Sequence, residues 1–178
     1  MKLKKCSILA LTAAFALPSC GEKDDSTGTT ATEKKGSLTE LVLSDEPAEA
    51  IDISSLRSSA KPGDKVTFTG DVLGSSNVFM DGRAVMVLGD PKKLTACSLR
   101  PGDMCETPWD VCCDDPDVIK ASIVTVQAVD EAGKPIKEGF KGLGGMKELS
   151  SVIVTGEVAE SSTEANLLVN ATGVFVKK

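Results

Sequence analysis

The sequence predicts an all-β fold, a small barrel of short strands with one long loop. Three observations predict it. From Lys65 onward, short runs of alternating apolar and polar residues recur between Gly, Pro and Asp turn signals. Two of these runs, "VTFTGDV" (66–72) and "VIVTGEV" (152–158), share the pattern V-x-x-T-G-acid-V. A glycine inside a strand lets it coil sharply, as at the corner of a small barrel. Between Asp90 and Ile119 the chain has no apolar period but carries four of its six cysteines. A loop that long inside a compact domain needs a physical reason, and clustered cysteines supply one.

The chain opens "MKLKKCSILALTAAFALPSC". Lys2, Lys4 and Lys5 form a basic leader, and Cys6 to Leu17 is an apolar run too short to cross a bilayer as a helix. It has the length of the apolar region of a signal peptide. "LPSC" (17–20) resembles a bacterial lipobox. The resemblance implies that residues 1–19 are a lipoprotein signal peptide. Cys20 would then take a diacylglyceryl thioether and become the first residue of the exported chain. Acyl chains contribute about 0.8 kcal/mol per buried methylene, so several of them anchor a protein stably to a membrane. The expected location is the cell envelope, facing the periplasm or the exterior. Gly21, with no Asp in its place, favours the outer membrane.

Residues 20–40 are rich in Thr, Ser, Lys and Glu without apolar periodicity, which predicts a disordered tether. Residues 41–61 read as an extended arm or short helix near 48–59. "KPGD" (61–64) is a turn signal, and the barrel domain is expected over 62–178. In the first strand Val66, Phe68 and Val72 face one way and Thr67, Thr69 and Asp71 the other. "NVFMDGRAVMVLGDP" (77–91) carries Asp81-Gly82 between two β-rich runs, a hairpin signal. "KASIVTVQAVD" (120–130) is a further strand. "GFKGLGGMKELS" (139–150) is a glycine-interrupted connector. The last strands are 151–161 and 165–178, the latter with a bulge at Gly173.

Five strands with a connector between the third and fourth resemble an OB-fold, a Greek-key barrel. The residues that carry the likeness are Gly70, the "AVMVLGD" strand ending at Asp90, "VIVTGEV" and the apolar last strand. The expected architecture is therefore a five-stranded OB-like barrel with a cysteine-stapled loop at 90–119. OB-folds often bind oligomers across the face of the second and third strands. Here that face is about 77–89, where Phe79 and Met86 read equally as candidate contacts and as core residues.

Cys97, Cys105, Cys112 and Cys113 follow the spacing C-x7-C-x6-C-C. In an oxidising exported compartment an even number of cysteines reads as disulfides. Adjacent cysteines join only through a strained ring. Cys97 and Cys105 are therefore each expected to reach one member of the pair, in either order, with Trp109 packing over the sulfurs. Each bridge would contribute about 2–3 kcal/mol. The competing readings are four thiolates binding zinc or an iron–sulfur cluster, and a reactive dithiol. The acidic side chains of Asp103, Glu106, Asp110, Asp114, Asp115 and Asp117 also suggest calcium, though without the D-x-[DN]-x-[DN]-G spacing. "DGRAVMVLGDP", "GDMCETPWDVCC", "KELSSVIVTGEV" and "LLVNATGVFV" together resemble a family of exported bacterial lipoproteins. That family has a Cys-x-Thr-Pro-Trp-Asp-x-Cys-Cys element within an OB-like barrel. The resemblance implies fold and compartment and no activity.

Composition narrows function. The 178 residues include no His, no Tyr and one Trp, at a net charge of −6. Without His there is no Ser-His-Asp or Cys-His catalysis and no His-ligated metal. The acidic balance repels phosphate backbones, and few aromatics are available for base stacking. A nucleic-acid partner would need Lys92, Lys93, Arg100 and Lys120 to form one basic groove. The expected function is a membrane-anchored binding or structural module with no cofactor, meeting an envelope protein or glycan, and not an enzyme. The alternative is a metal-binding or thiol-redox lipoprotein centred on the four cysteines.

Overall fold

A computed structural model of the chain describes residues 37–178. The expected signal peptide, Cys20 and the expected tether as far as Gly36 lie outside the described residues. The strands and helices in chain order are β1 (Ile51–Asp52), α1 (Ile53–Ser59), β2 (Lys65–Asp71), β3 (Val85–Gly89), α2 (Pro116–Ser122), β4 (Ile123–Gln127), β5 (Ser151–Val158) and β6 (Leu168–Val176). Strands β2, β3, β4, β6 and β5 follow one another around a ring, and β5 pairs back to β2. The result is a closed five-stranded barrel. It is mixed, because β4 and β6 run parallel while the other neighbours in the ring are antiparallel.

The repeated motif forms the longest seam of this barrel. In the β2–β5 register, Val66 faces Gly156, Phe68 faces Val154 and Gly70 faces Val152. Each copy of the motif therefore sets its glycine opposite the first valine of the other. Both glycines sit where another part of the chain comes too close for a side chain. A Cβ at Gly70 would lie 2.5 Å from Ile53 Cδ1 and 3.1 Å from the Gly89 carbonyl. At Gly156 it would meet the Asn170 carbonyl and lie 2.9 Å from Val169 Cγ1. The second approach coincides with a bulge. Thr155 pairs with Gly173 but Gly156 pairs with Ala171, which leaves Thr172 as the extra residue. The bulge expected at Gly173 is thus present one residue earlier. It brings Val174 back to the buried face that Val169 and Ala171 occupy.

Alternation places Phe68, Val72, Met86, Leu88, Val124, Val126, Val154 and Val169 in one core. Phe140 and Met146 add to it from the 139–150 connector, where the chain makes a short 3-10 turn over Leu143–Gly145. Fully burying side chains of this size contributes about 1.5–3 kcal/mol each. The arm contributes as well. Leu38, in the stretch expected as tether, is only 1% exposed, and Leu43 N–H donates to the Val174 carbonyl at 2.9 Å. The packed domain therefore reaches further upstream than residue 41.

Helix α1 begins where Asp52 accepts from Ser55 N–H at 2.8 Å, and it buries Ile53 and Leu56. Arg57 lashes it to the barrel through the carbonyls of Ile123 (2.9 Å) and Glu164 (2.7 Å). Helix α2 takes Lys120 to Ser122, residues expected in a strand. Asp115 caps it through Asp117 N–H at 2.9 Å, with Pro116 next in its first turn. These local start signals outweigh the apolar run, so the strand waits until Ile123.

Candidate functional site

Among the described residues, two places have functional geometry: the cysteine loop and the 78–87 hairpin. The loop begins at Asp90, which is 1% exposed. One of its carboxylate oxygens accepts from Ser54 N–H (3.1 Å) and Ser54 Oγ (2.7 Å), and the other from Lys92 N–H (2.9 Å). This carboxylate joins the end of β3, the first turn of α1 and the start of the loop. The loop then folds over a small apolar cluster of its own, Leu73, Leu94, Ala96 and Val111. Trp109 packs against that cluster and against the barrel core, and its indole N–H donates to the Ser76 carbonyl at 2.9 Å. Its site is the junction of the two clusters.

The two arms of the loop are tied by backbone bonds. Cys97 N–H donates to the Asp110 carbonyl (2.8 Å) and Ser98 N–H to the Pro108 carbonyl (3.0 Å). Between them, Asp103 accepts from Cys105 N–H at 3.1 Å. Arg100 pairs with Asp114, which also accepts from Thr95 N–H at 2.8 Å. These contacts bring three of the four thiols together. The sulfurs of Cys97, Cys105 and Cys112 all lie within 4.8 Å of one another, with Cys97 and Cys112 at 3.8 Å. Cys97 is buried, Cys105 half-buried and Cys112 exposed. Cys113 is exposed and outside the cluster. The carboxylate of Asp103 and the sulfur of Cys97 beside it push the Cys105 thiol up to about 12.

Four of the six acidic residues named for the loop are spent locally rather than gathered. Asp103 and Asp110 accept from nearby backbone N–H groups, Asp114 holds Arg100, and Asp115 caps α2. Among the described residues, the cysteine trio is the group whose ligand atoms converge in metal-binding fashion. The basic residues are dispersed too, with Lys92 on Asp52 at 3.5 Å and Arg100 on Asp114.

On the hairpin, Met80 N–H donates to the Val85 carbonyl (3.0 Å) and Val87 N–H to the Val78 carbonyl (2.8 Å), with Phe79 opposite Met86. Phe79, Met80, Val85, Val87 and Thr125 line a groove of about 420 Å³. Met80 is 50% exposed and Phe79 half-buried. Met86 also borders the groove but is only 1% exposed, so of the two candidate contacts Phe79 offers the accessible surface. Sequence reasoning passed over Met80, although an unbranched apolar residue beside the Asp81-Gly82 turn was a usable signal. A groove of about 430 Å³ also runs between Ala48–Ile51 and β2.

No protein-family model, curated protein or solved structure matches this chain.

Proposed function

We propose that the chain is an exported lipoprotein, anchored through Cys20 in a bacterial envelope membrane, whose barrel is an OB-like binding module. The observation that carries the binding role is the hairpin groove. It lies on the face where OB-folds take their ligands, between the second and third barrel strands and the segment that flanks them. The strand order supports the OB-like reading, because the third and fifth barrel strands (β4 and β6) run parallel while the first and fourth (β2 and β5) close the ring. The proposed occupant is an apolar segment of another envelope protein. Methionine adapts to varied protein surfaces, and the groove has a single aromatic ring, too few to stack a sugar chain. The net charge of −6 and the ion-paired state of Lys92 and Arg100 speak against nucleic acid.

Two experiments test this. Wild-type protein should fractionate with membranes until detergent is added, and Cys20→Ser should leave it soluble; a membrane-bound variant would refute the anchor. A photo-crosslinking residue at position 80, placed in the chain in its native cell, should give one discrete adduct that mass spectrometry identifies as an envelope protein. Phe79→Asp should abolish that adduct. The same residue at Glu160, an exposed control position, should give none. An adduct with glycan, or equal adducts at both positions, would overturn the reading.

A further inference from the structure

We propose that Cys97, Cys105 and Cys112 form a thiolate site for one soft d10 cation, of the zinc(II) or copper(I) class. This site is separate from the hairpin groove, and it stands or falls independently of the binding role.

The first argument is geometric. Zinc–sulfur bonds are about 2.3 Å long, and copper(I) bonds are similar, so sulfurs around such an ion lie about 3.8 Å apart in a tetrahedron and about 4.0 Å apart in a triangle. Cys97 and Cys112 are 3.8 Å apart, and Cys105 lies within 4.8 Å of both. Closing the two edges to Cys105 needs at most about an ångström of movement from a half-buried side chain. A disulfide would use two of these sulfurs and leave the third beside the bridge without a role. Two bridges would require Cys113, exposed and outside the cluster, to turn inward.

The second argument concerns the scaffold. Non-covalent contacts hold the loop's shape around the sulfurs. The Cys97 and Asp110 backbones are bonded, Trp109 is held by Ser76, and a separate apolar cluster lies beneath. The sulfurs are thus brought together by non-covalent contacts of the frame around them. The frame also offers a route in, since Cys112 is exposed at the mouth while Cys97 forms the floor.

The third argument is chemical selection. Thiolates favour soft ions and leave calcium and magnesium in water. Among the carboxylates nearby, which would favour those hard ions, Asp103, Asp110 and Asp114 are engaged by backbone N–H groups or by Arg100. Three sulfurs leave one coordination position for solvent. Binding would release the thiol protons to solvent, with no change of oxidation state.

The test uses the full chain from residue 21 onward, purified from the periplasm and, separately, reduced under anaerobic conditions. Each preparation is titrated with zinc sulfate and with a copper(I)–acetonitrile complex, and read by native mass spectrometry and chelator competition. The expected result is one ion per chain. Cys105→Ser and Cys112→Ser should each weaken binding at least 10-fold, with Cys113→Ser within about 3-fold of wild type. These positions avoid the buried Cys97, whose replacement can unfold the loop, and thermal melts of each variant report folding directly. Four alkylatable thiols with a bound ion in the periplasmic protein would support the site. Two disulfides in that preparation, with no alkylation after denaturation, would overturn it. So would binding that Cys113→Ser weakens as much as the others do.

Discussion

Replacing Asp90 by alanine is expected to destabilise the domain by about 4 kcal/mol, a fall in Tm on the order of 15 °C. The size follows from what is left behind. Asp90 is 1% exposed and accepts three hydrogen bonds, two from Ser54 and one from the Lys92 backbone. Hydrogen bonds to a charged group contribute roughly 1.5–3 kcal/mol each, and removing a shared acceptor strands every donor at once. Alanine leaves the Ser54 and Lys92 N–H groups with no carboxylate to meet, and it loosens α1 and the cysteine loop together. Asn keeps one acceptor oxygen but turns an N–H2 toward other donors, so Asp90→Asn should lose about half as much. Calorimetry of the two variants decides it. A Tm within about 2 °C of wild type for Asp90→Ala would show that this junction does not hold the loop to the barrel.

Gly156→Ala is the second large effect, expected at about 3 kcal/mol or more. The added methyl would run into backbone, the Asn170 carbonyl, at the point where β6 bulges. Backbone paired on both sides cannot step aside. Gly70→Ala should cost less, because the nearest atom is the flexible tip of Ile53. Gly82→Ala should cost only about 1 kcal/mol, since open space surrounds it and its φ of +64° is the remaining objection. Urea midpoints should therefore fall in the order wild type, Gly82→Ala, Gly70→Ala, Gly156→Ala. If Gly156→Ala unfolded with Gly82→Ala, the two-glycine seam would not be a packing constraint.

The same comparison shows how far a strand pattern can be read. The V-x-x-T-G-acid-V echo marked Gly70 and Gly156 as special, and both are. The echo did not say that its two copies pair with each other, which emerges from the β2–β5 register. Alternation likewise found most of the core. It did not separate Phe79 from Met86: the Met86 side chain is inside while its neighbour across the hairpin, Phe79, is half-exposed. Both residues sit in a run of apolar neighbours, where period alone does not separate the faces. In the loop, cysteine spacing singled out all four thiols as equals.

Local chemistry thus determined, from the sequence by itself, the β class, the two strand glycines, the hairpin turn and the concentration of thiols in one loop. Each is a matter of neighbours along the chain, where side-chain alternation, turn residues and spacing act directly. Only the tertiary structure decided that β4 and β6 run parallel, that Asp90 is a buried junction, and that Cys97, Cys105 and Cys112 meet while Cys113 does not. Those outcomes depend on closing the barrel and folding the loop onto Trp109 and Val111. Contacts between segments far apart in sequence are set by that closure, and no local pattern encodes them.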